Sequence, residues 1–248
     1  MGNVKDKVCL ALDVATLQEA ERLVKATRES VGYFKVGLQL FCAVGPRVVE
    51  TIVEVGGKVF LDLKFHDIPN TVAGATRSIV SLGASIFNVH TSGGLAMMKA
   101  TVNEAHELSR TASVKRPLVI GVTVLTSLNT ENLRSELGIE QDSKAYALRL
   151  AELAKQAGLD GIVCSAEETA SVRREIGSNF YIINPGIRPE WSVDSTDDQK
   201  RITTPRQAIE AGASLIVIGR PILKSGDPTA AAQRVYEEVE RAADDSRN

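Results

Sequence analysis

An alternation of short apolar runs with amphipathic segments, repeated eight times, constrains the fold of this chain more than any other feature. The runs are rich in Val, Ile and Leu, and apolar residues recur at helical spacing in the segments between them. This pattern is typical of βα units around a parallel sheet. The candidate strands are residues 8–14, 33–39, 58–65, 85–91, 117–125, 161–165, 181–187 and 214–220.

Helix start and stop signals support the same pattern. Thr16 is suited to cap the first helix, and Pro46 is suited to open the helix after the second strand. Several helices close on a glycine, which supplies the left-handed residue at a helix end. These glycines are Gly57, Gly83, Gly158 and Gly212.

Eight βα units predict an α/β fold, a single (β/α)8 barrel (TIM barrel) with its active site at the carboxyl ends of the strands. We expect one domain over residues 1–248, with short flexible termini at about residues 1–6 and 244–248. An open doubly wound sheet is the alternative, but it usually has fewer strands and a Gly-rich turn after the first. No GxGxxG motif follows the first run here.

Composition argues against several classes of function. Of the 248 residues, 44% are hydrophobic and 24% are charged, as in ordinary globular proteins with a substantial core. A formal net charge of -2 gives no basic patch for nucleic acid or for an anionic membrane. Neither a membrane span nor a signal peptide is recognisable, so we expect a cytoplasmic protein.

The cysteines and two of the histidines show no metal-binding or disulfide pattern. Cys9, Cys42 and Cys164 are odd in number and far apart, which argues against a disulfide framework or a CxxC site. We expect all three to be small core residues, and a catalytic thiol is less favoured. His90 and His106 lack metal-ligand spacing, so the sequence predicts no metal site.

Charged residues near the strand ends mark the candidate active site. The stretch KVFLDLKFHDIP holds Asp62 and Lys64 two positions apart, which predicts that they project to one face of the third strand. Asp13 ends the first strand, Lys35 lies in the second, and Asp67 follows the third. A structural ion pair is the alternative, but desolvating this many charges for stability alone is usually a net loss. We therefore predict that these side chains converge.

Lys64 is suited to donate a proton. It lies between Asp62 and Asp67 in sequence, and nearby negative charge favours the ammonium form. The same charge leaves little free amine for nucleophilic attack. His66 belongs to this motif but falls past the strand end, so we expect a structural or subunit-contact role for it.

The last two βα units carry features of a phosphate site. NPGIRP is followed by a long polar segment, residues 190–202, and the eighth strand ends in IGRP. Barrels often hold a phosphate with these loops, where Gly219 permits close backbone approach and Arg220 offers two donors. Arg188 and Gln199 are placed to reach the same phosphate. The length of the segment is typical of a lid.

The motifs LDLKFHDIPNT, FKVG, VTVLTS, NPGIRP, DDQKRI and IGRPI together resemble the bacterial orotidine 5′-monophosphate decarboxylase family. The resemblance covers essentially the whole chain. It implies a homodimeric barrel of the phosphate-binding superfamily that converts orotidine 5′-monophosphate to uridine 5′-monophosphate and CO2 without a cofactor. That reaction is the last step of de novo UMP biosynthesis.

The resemblance also implies roles for individual residues. Asp13 would bind the ribose hydroxyls, Lys35 would link the ribose to Asp62, and Lys64 would protonate C6 of the pyrimidine. The second subunit would contribute two residues to its neighbour's site, namely Asp67 and Thr71. The remaining contacts would be Thr126 with the pyrimidine ring and, with the phosphate, Arg188, Gln199, Gly219 and Arg220.

Three other functions fit parts of the sequence. A Mg²⁺-dependent sugar-phosphate decarboxylase or synthase shares the D-x-K-x-x-D element, but such relatives place an acidic ligand where this chain has Lys35. A Schiff-base aldolase needs a free lysine amine, which flanking carboxylates disfavour. A catalytically silent sensor of nucleotide phosphates would have lost part of the charged set, and none of it is missing.

Overall fold

The computed structural model describes residues 3–192 and 203–245. Within these ranges, eight parallel strands form one closed barrel in which each strand pairs with its neighbours in sequence and β8 returns to β1. The strands are β1 Val8–Ala11, β2 Tyr33–Gly37, β3 Lys58–Phe65, β4 Ile86–His90, β5 Leu118–Val122, β6 Gly161–Val163, β7 Tyr181–Asn184 and β8 Leu215–Ile218. The predicted (β/α)8 barrel is confirmed.

Helices connect the strands, and most of them were predicted. Thr16 caps the first helix, where its side-chain oxygen accepts a hydrogen bond from the Glu19 backbone N–H. The helices are α1 Leu17–Thr27, α2 Leu38–Val44, α3 Arg47–Glu54, α4 Pro69–Ser81, α5 Gly94–Thr111, α6 Thr130–Leu137, α7 Ser143–Ala157, α8 Ala166–Ile176, α9 Pro205–Glu210, α10 Arg220–Leu223 and α11 Pro228–Asp245. The sequence patterns missed the short helices α2, α6 and α10. None of the helices in the described ranges is long and apolar enough to cross a bilayer.

The barrel interior and the layer between strands and helices form separate apolar clusters. In β1, Cys9 belongs to the interior cluster, whereas Val8 and Leu10 pack with the helices. This alternation follows from the period of two in a strand. The buried residues of the interior cluster are Cys9, Ala11, Phe60, Ile86, Ile120, Ile183, Leu215 and Val217.

The pairing of β3 with β4 contains an irregularity that the sequence did not predict. Leu61 pairs with Phe87 and Phe65 pairs with Val89, so β3 holds extra residues between these two pairs. Lys64 lies in this bulge with φ 53, in the left-handed region. Bulges of this kind re-aim a side chain and are common beside active sites.

Two local predictions need correction. Gly57 does not end α3 in the left-handed region, since Gly56 does so with φ 84. Gly57 instead gives room to Ile52, whose Cγ2 would lie 2.7 Å from an added Cβ. Cys42 is exposed on α2 rather than buried in the core.

Candidate active site

Four charged side chains converge at the carboxyl ends of β1, β2 and β3. The Lys35 Nζ lies 3.4 Å from Asp13 Oδ1 and 3.3 Å from Asp62 Oδ2. The Lys64 Nζ donates to Asp62 Oδ1 at 2.7 Å. The result is a row of alternating charges, Asp13, Lys35, Asp62 and Lys64, which we call the charged array. The sequence predicted this convergence.

Strand geometry explains why the array lies directly above the apolar interior. Lys35 comes two residues after Tyr33, and Asp62 comes two residues after Phe60, whose side chains pack in the interior cluster. Asp13 follows the interior residue Ala11 by the same interval, just beyond the end of β1. Because every second side chain faces the same way, the array continues the interior face of each strand.

The array keeps its members charged in a partly desolvated site. Burial lowers the pKa of Lys35, but the carboxylates of Asp62 and Asp13 raise it by more than burial lowers it. The net pKa of Lys35 therefore lies above its usual value. Burial raises the pKa of Asp62, yet Lys35 and Lys64 outweigh it and the net pKa is lowered. The Asp62 carboxylate therefore remains an anion between two cations.

Asn88 is a member of this site that sequence reasoning missed. It is 1% exposed in β4, and its Nδ2 donates to Asp62 Oδ1 at 2.7 Å. Its Oδ1 accepts the backbone N–H of Lys64 at 2.8 Å. The available signal was a lone amide side chain two residues after the interior residue Ile86.

Gly37 is a second residue that was not predicted. An added Cβ at this position would lie 3.1 Å from the Lys35 Nζ and 3.8 Å from Asp13 Oδ1. The first distance is tighter than ordinary contact, so a side chain here would displace the ammonium group. Glycine at the end of β2 therefore leaves room for the charged array.

Asp67 and Thr71 do not join the array within one chain. Asp67 Oδ1 accepts the backbone N–H of Ile68 at 2.7 Å, and both Asp67 and Thr71 are exposed. Together with Lys64 and His66, they line a second cavity of about 250 Å³. Of the two acids expected to flank Lys64, only Asp62 forms an ion pair with it in the described chain.

The predicted phosphate residues lie beside the array. Arg188, Gly219 and Arg220 line a cavity of about 250 Å³ that also reaches Asp13, Lys35 and Asp62. Arg188 is 5% exposed, and its backbone N–H donates to the Thr203 carbonyl. Gln199 lies outside the described residues. Thr126 is exposed in the turn after β5 and lines neither of the two cavities.

The histidine and tryptophan side chains near the site lie outside the charged array. The rings of His66 and His90 are 5.5 Å apart. Burial is the main cause that lowers the pKa of His90, and electrostatic interaction with His66 and Lys64 lowers it further. Trp191 stacks with the Arg234 guanidinium of α11 at 4.4 Å. Trp191 thus contacts an outer helix, and it lines neither cavity.

The carboxylates at the barrel mouth are arranged around an ammonium group. Asp13 and Asp62 both face Lys35, which occupies the position between them that a bridging cation would need. Across residues 3–192 and 203–245, no group of three or more His, Cys, Asp or Glu side chains could hold a metal ion.

Comparison with known proteins finds relatives along nearly the whole chain. The sequence model of the orotidine 5′-phosphate decarboxylase / HUMPS family matches residues 6–235. The chain is 48% identical over 238 residues to the orotidine 5′-phosphate decarboxylase of Moorella thermoacetica, covering 96% of this chain and 94% of the relative. It is 43% identical over 233 residues to that of Coxiella burnetii, covering 94% and 96%.

Solved structures of similar fold agree with these matches. The crystal structure of orotidine 5′-phosphate decarboxylase from Lactobacillus acidophilus is 34% identical with a TM-score of 0.82, covering 94% of this chain and 98% of that one. An uncharacterized conserved protein from Geobacillus kaustophilus is 35% identical with a TM-score of 0.80, covering 94% and 99%.

Proposed function

The chain belongs to the orotidine 5′-phosphate decarboxylase / HUMPS family, and we propose that it converts orotidine 5′-monophosphate to uridine 5′-monophosphate and CO2. The relatives that share 43% to 48% of its sequence carry the name of this enzyme. The observation that carries the proposal is the charged array beside an arginine-lined cavity. This activity completes UMP biosynthesis, which we place in the cytoplasm.

The reaction needs charge stabilisation at a carbon atom that has no neighbouring carbonyl to delocalise it. When the bond from C6 to the carboxylate breaks, its electron pair remains on C6. An ammonium about 4 Å from that carbon contributes on the order of 4 kcal/mol at an effective dielectric of about 20. We assign this role to Lys64, which then transfers a proton to C6 and later regains one from water.

Asp62 and Lys35 organise the proton donor. The Asp62 carboxylate holds the Lys64 ammonium at 2.7 Å, while Lys35 and Asp13 lie on the ribose side of the proposed substrate position. A departing carboxylate next to Asp62 would experience repulsion in the ground state, which loss of CO2 relieves. The alternating charges thus support both the orientation of the substrate and the loss of CO2.

The phosphate group of the substrate fits the other end of the cavity. Arg188 and Arg220 supply positive charge there, and Gly219 keeps the wall open, since an added Cβ would lie 3.3 Å from the Ala11 Cβ. Binding energy at a group that does not react can be used to orient the reacting carbon. We retain Gln199 as a phosphate contact and Thr126 as a contact of the pyrimidine ring.

We also propose that two copies of the chain form a homodimer in which Asp67 and Thr71 complete the partner's site. Both residues are exposed, and they line a cavity that contains Lys64. Ile68 between them is 68% exposed, and Leu38 on α2 is 57% exposed, which is typical of a surface that another subunit covers.

A Mg²⁺-dependent sugar-phosphate enzyme of the same superfamily is less favoured. Lys35 lies between the two carboxylates, and its positive charge would repel a divalent cation there. The test is an absorbance assay for uridine 5′-monophosphate formation by the parent protein in the presence of EDTA. Conversion that survives EDTA supports the proposal. No conversion, together with Mg²⁺-dependent turnover of a sugar phosphate, would overturn it.

A further inference from the structure

We propose that Asn88 is a positioning residue that sets the conformation of Lys64 and the orientation of Asp62. It acts through these two side chains and does not touch the substrate. The inference rests on the proposed function, because it concerns the same proton donor. The irregular pairing between β3 and β4 is the first observation that supports it.

Asn88 fills a gap in the hydrogen-bonding ladder of the barrel. Leu61 pairs with Phe87 and Phe65 pairs with Val89, so the segment Asp62–Lys64 of β3 lies opposite Asn88 alone. A buried backbone N–H that loses its ladder partner must find another acceptor. The side-chain oxygen of Asn88 accepts the Lys64 N–H at 2.8 Å and so replaces the missing carbonyl.

The same bulge places Lys64 in a conformation that a lysine rarely adopts. Its φ of 53 lies in the left-handed region, which is unfavourable for residues with a Cβ unless the surrounding structure holds them there. The hydrogen bond from the Lys64 N–H to Asn88 Oδ1 anchors the backbone of this residue, while the ion pair of its Nζ with Asp62 anchors the end of the side chain. The direction of the Lys64 side chain therefore depends on Asn88.

The amide nitrogen of Asn88 orients the Asp62 carboxylate. It donates to Asp62 Oδ1, the oxygen that also accepts from Lys64 Nζ, while Oδ2 of Asp62 faces Lys35. Each carboxylate oxygen is thereby assigned to one ammonium group. A carboxylate at position 88 would lack this donor, and an apolar side chain would lack both hydrogen-bonding groups.

Ser214 provides a control for Asn88. Its Oγ accepts the backbone N–H of Ile182 in β7 at 3.1 Å, so it is also a side-chain oxygen that serves a strand N–H. It lies directly before the start of β8, at the end of the barrel opposite the charged array.

The first experiment measures steady-state kinetics of Asn88→Ala and Ser214→Ala with orotidine 5′-monophosphate. A displacement of about 1 Å in a catalytic group can reduce the rate on the order of 100-fold. We therefore expect kcat of Asn88→Ala to fall about 100-fold with KM within about threefold, and kcat of Ser214→Ala to stay within about threefold. An unchanged kcat in Asn88→Ala, or an equal loss in Ser214→Ala, would overturn the proposal.

A second variant, Asn88→Asp, keeps the shape of the side chain and is read from its pH profile. Burial and the neighbouring Asp62 carboxylate raise the pKa of the introduced carboxyl, whereas Lys35 and Lys64 lower it; His90 lies two residues further along β4. The protonated carboxyl can donate to Asp62 as the amide does. We expect kcat relative to the parent to recover as pH falls. A relative kcat that does not change with pH would contradict the proposal.

A crystal structure of Asn88→Ala separates failure of this inference from failure of the proposed function. If the parent does not decarboxylate the substrate, the function is wrong, but the conformation of Lys64 can still be compared. We expect Lys64 to leave the left-handed region and its Nζ to move away from Asp62 Oδ1. A Lys64 that keeps its conformation without the Asn88 amide would overturn the inference by itself.

Discussion

The two ends of the barrel interior use the same faces of the same strands for opposite purposes. Towards the amino ends, the interior holds packed apolar side chains such as Phe60 and Ile86. Two residues further along the same strands stand Asp62 and Asn88, in a network of ion pairs and hydrogen bonds. The apolar end stabilises the fold through burial, whereas the polar end is stable only because its charges are paired.

The two ends of the barrel interior should therefore respond differently to substitution. The interior cluster has no polar function to lose, so its truncation leaves a cavity and lowers the free energy of unfolding. The charged array supports a reaction, so its truncation leaves an unpaired charge at the reacting group. Substitutions at the two ends should therefore separate activity from stability.

A large loss of activity is expected from Asp62→Ala, which removes the anion between Lys35 and Lys64. We expect kcat/KM to fall about 1000-fold or more, since the electrostatic organisation of the site is lost. Asp160→Ala is the matched control, because Asp160 is also a paired carboxylate, bound to Arg116 at 2.9 Å before the start of β6. This control should lower Tm and leave kcat/KM within about threefold. Equal losses of activity in both variants would contradict the comparison.

A smaller effect on activity and a large one on stability are expected from Ile120→Ala in the interior cluster. Ile120 is 0% exposed on β5, a strand that contributes no member of the charged array. Truncation of a buried isoleucine costs about 2 to 5 kcal/mol in free energy of unfolding, measured here by urea denaturation. Below the unfolding transition, kcat should stay within about threefold of the parent. A loss of kcat comparable to that of Asp62→Ala would show that the two ends are not separable.

The smallest effect concerns Glu168, a buried acid on α8 outside the barrel interior. Burial raises its pKa to about 7, while its Oε2 accepts the Ser165 backbone N–H. Between its unfolded pKa of about 4.3 and that value, the unfolded state releases a proton that the folded state keeps, so stability falls as pH rises. The Glu168→Gln side chain does not ionise, so we expect the variant to show a smaller decrease in Tm than the parent between about pH 5 and pH 8. Parallel pH profiles of Tm for parent and variant would contradict it.

Much of the barrel and part of the site could be predicted because both follow from local patterns. The period of two predicted that Asp62 and Lys64 project to one face of β3, and their side chains form an ion pair. Thr16 was a recognisable cap. The bulge at Lys64 could not be predicted, because it depends on how β3 pairs with β4, which lies over twenty residues later in the chain. The role of Asn88 could not be predicted either, because its contacts with Asp62 and Lys64 depend on the same pairing.

Other misses have a similar physical origin. The helix α2 begins at Leu38 directly after β2, and its N-cap residue Gly37 has no side chain to cap it, so no start signal marks this helix. Cys42 was expected in the core, but this short helix presents it to solvent. The sequence predicted that Asp67 would lie beside Lys64, but within one chain the Asp67 carboxylate accepts the backbone N–H of Ile68. The turn into α4 separates Asp67 from Lys64, although the two residues are close in sequence.

The role of Lys64 as proton donor is tested by kcat for orotidine 5′-monophosphate in Lys64→Ala, with Lys58→Ala as control. Lys58 lies in the same strand at the opposite end, where its Nζ pairs with Asp6 at 2.7 Å. Loss of a general acid reduces rates by about 100-fold to 10000-fold, and we predict a fall in this range for Lys64→Ala in the presence of EDTA. Lys58→Ala should keep the activity of the parent. Comparable activity in the parent and in Lys64→Ala would contradict the assignment of Lys64 as the proton donor.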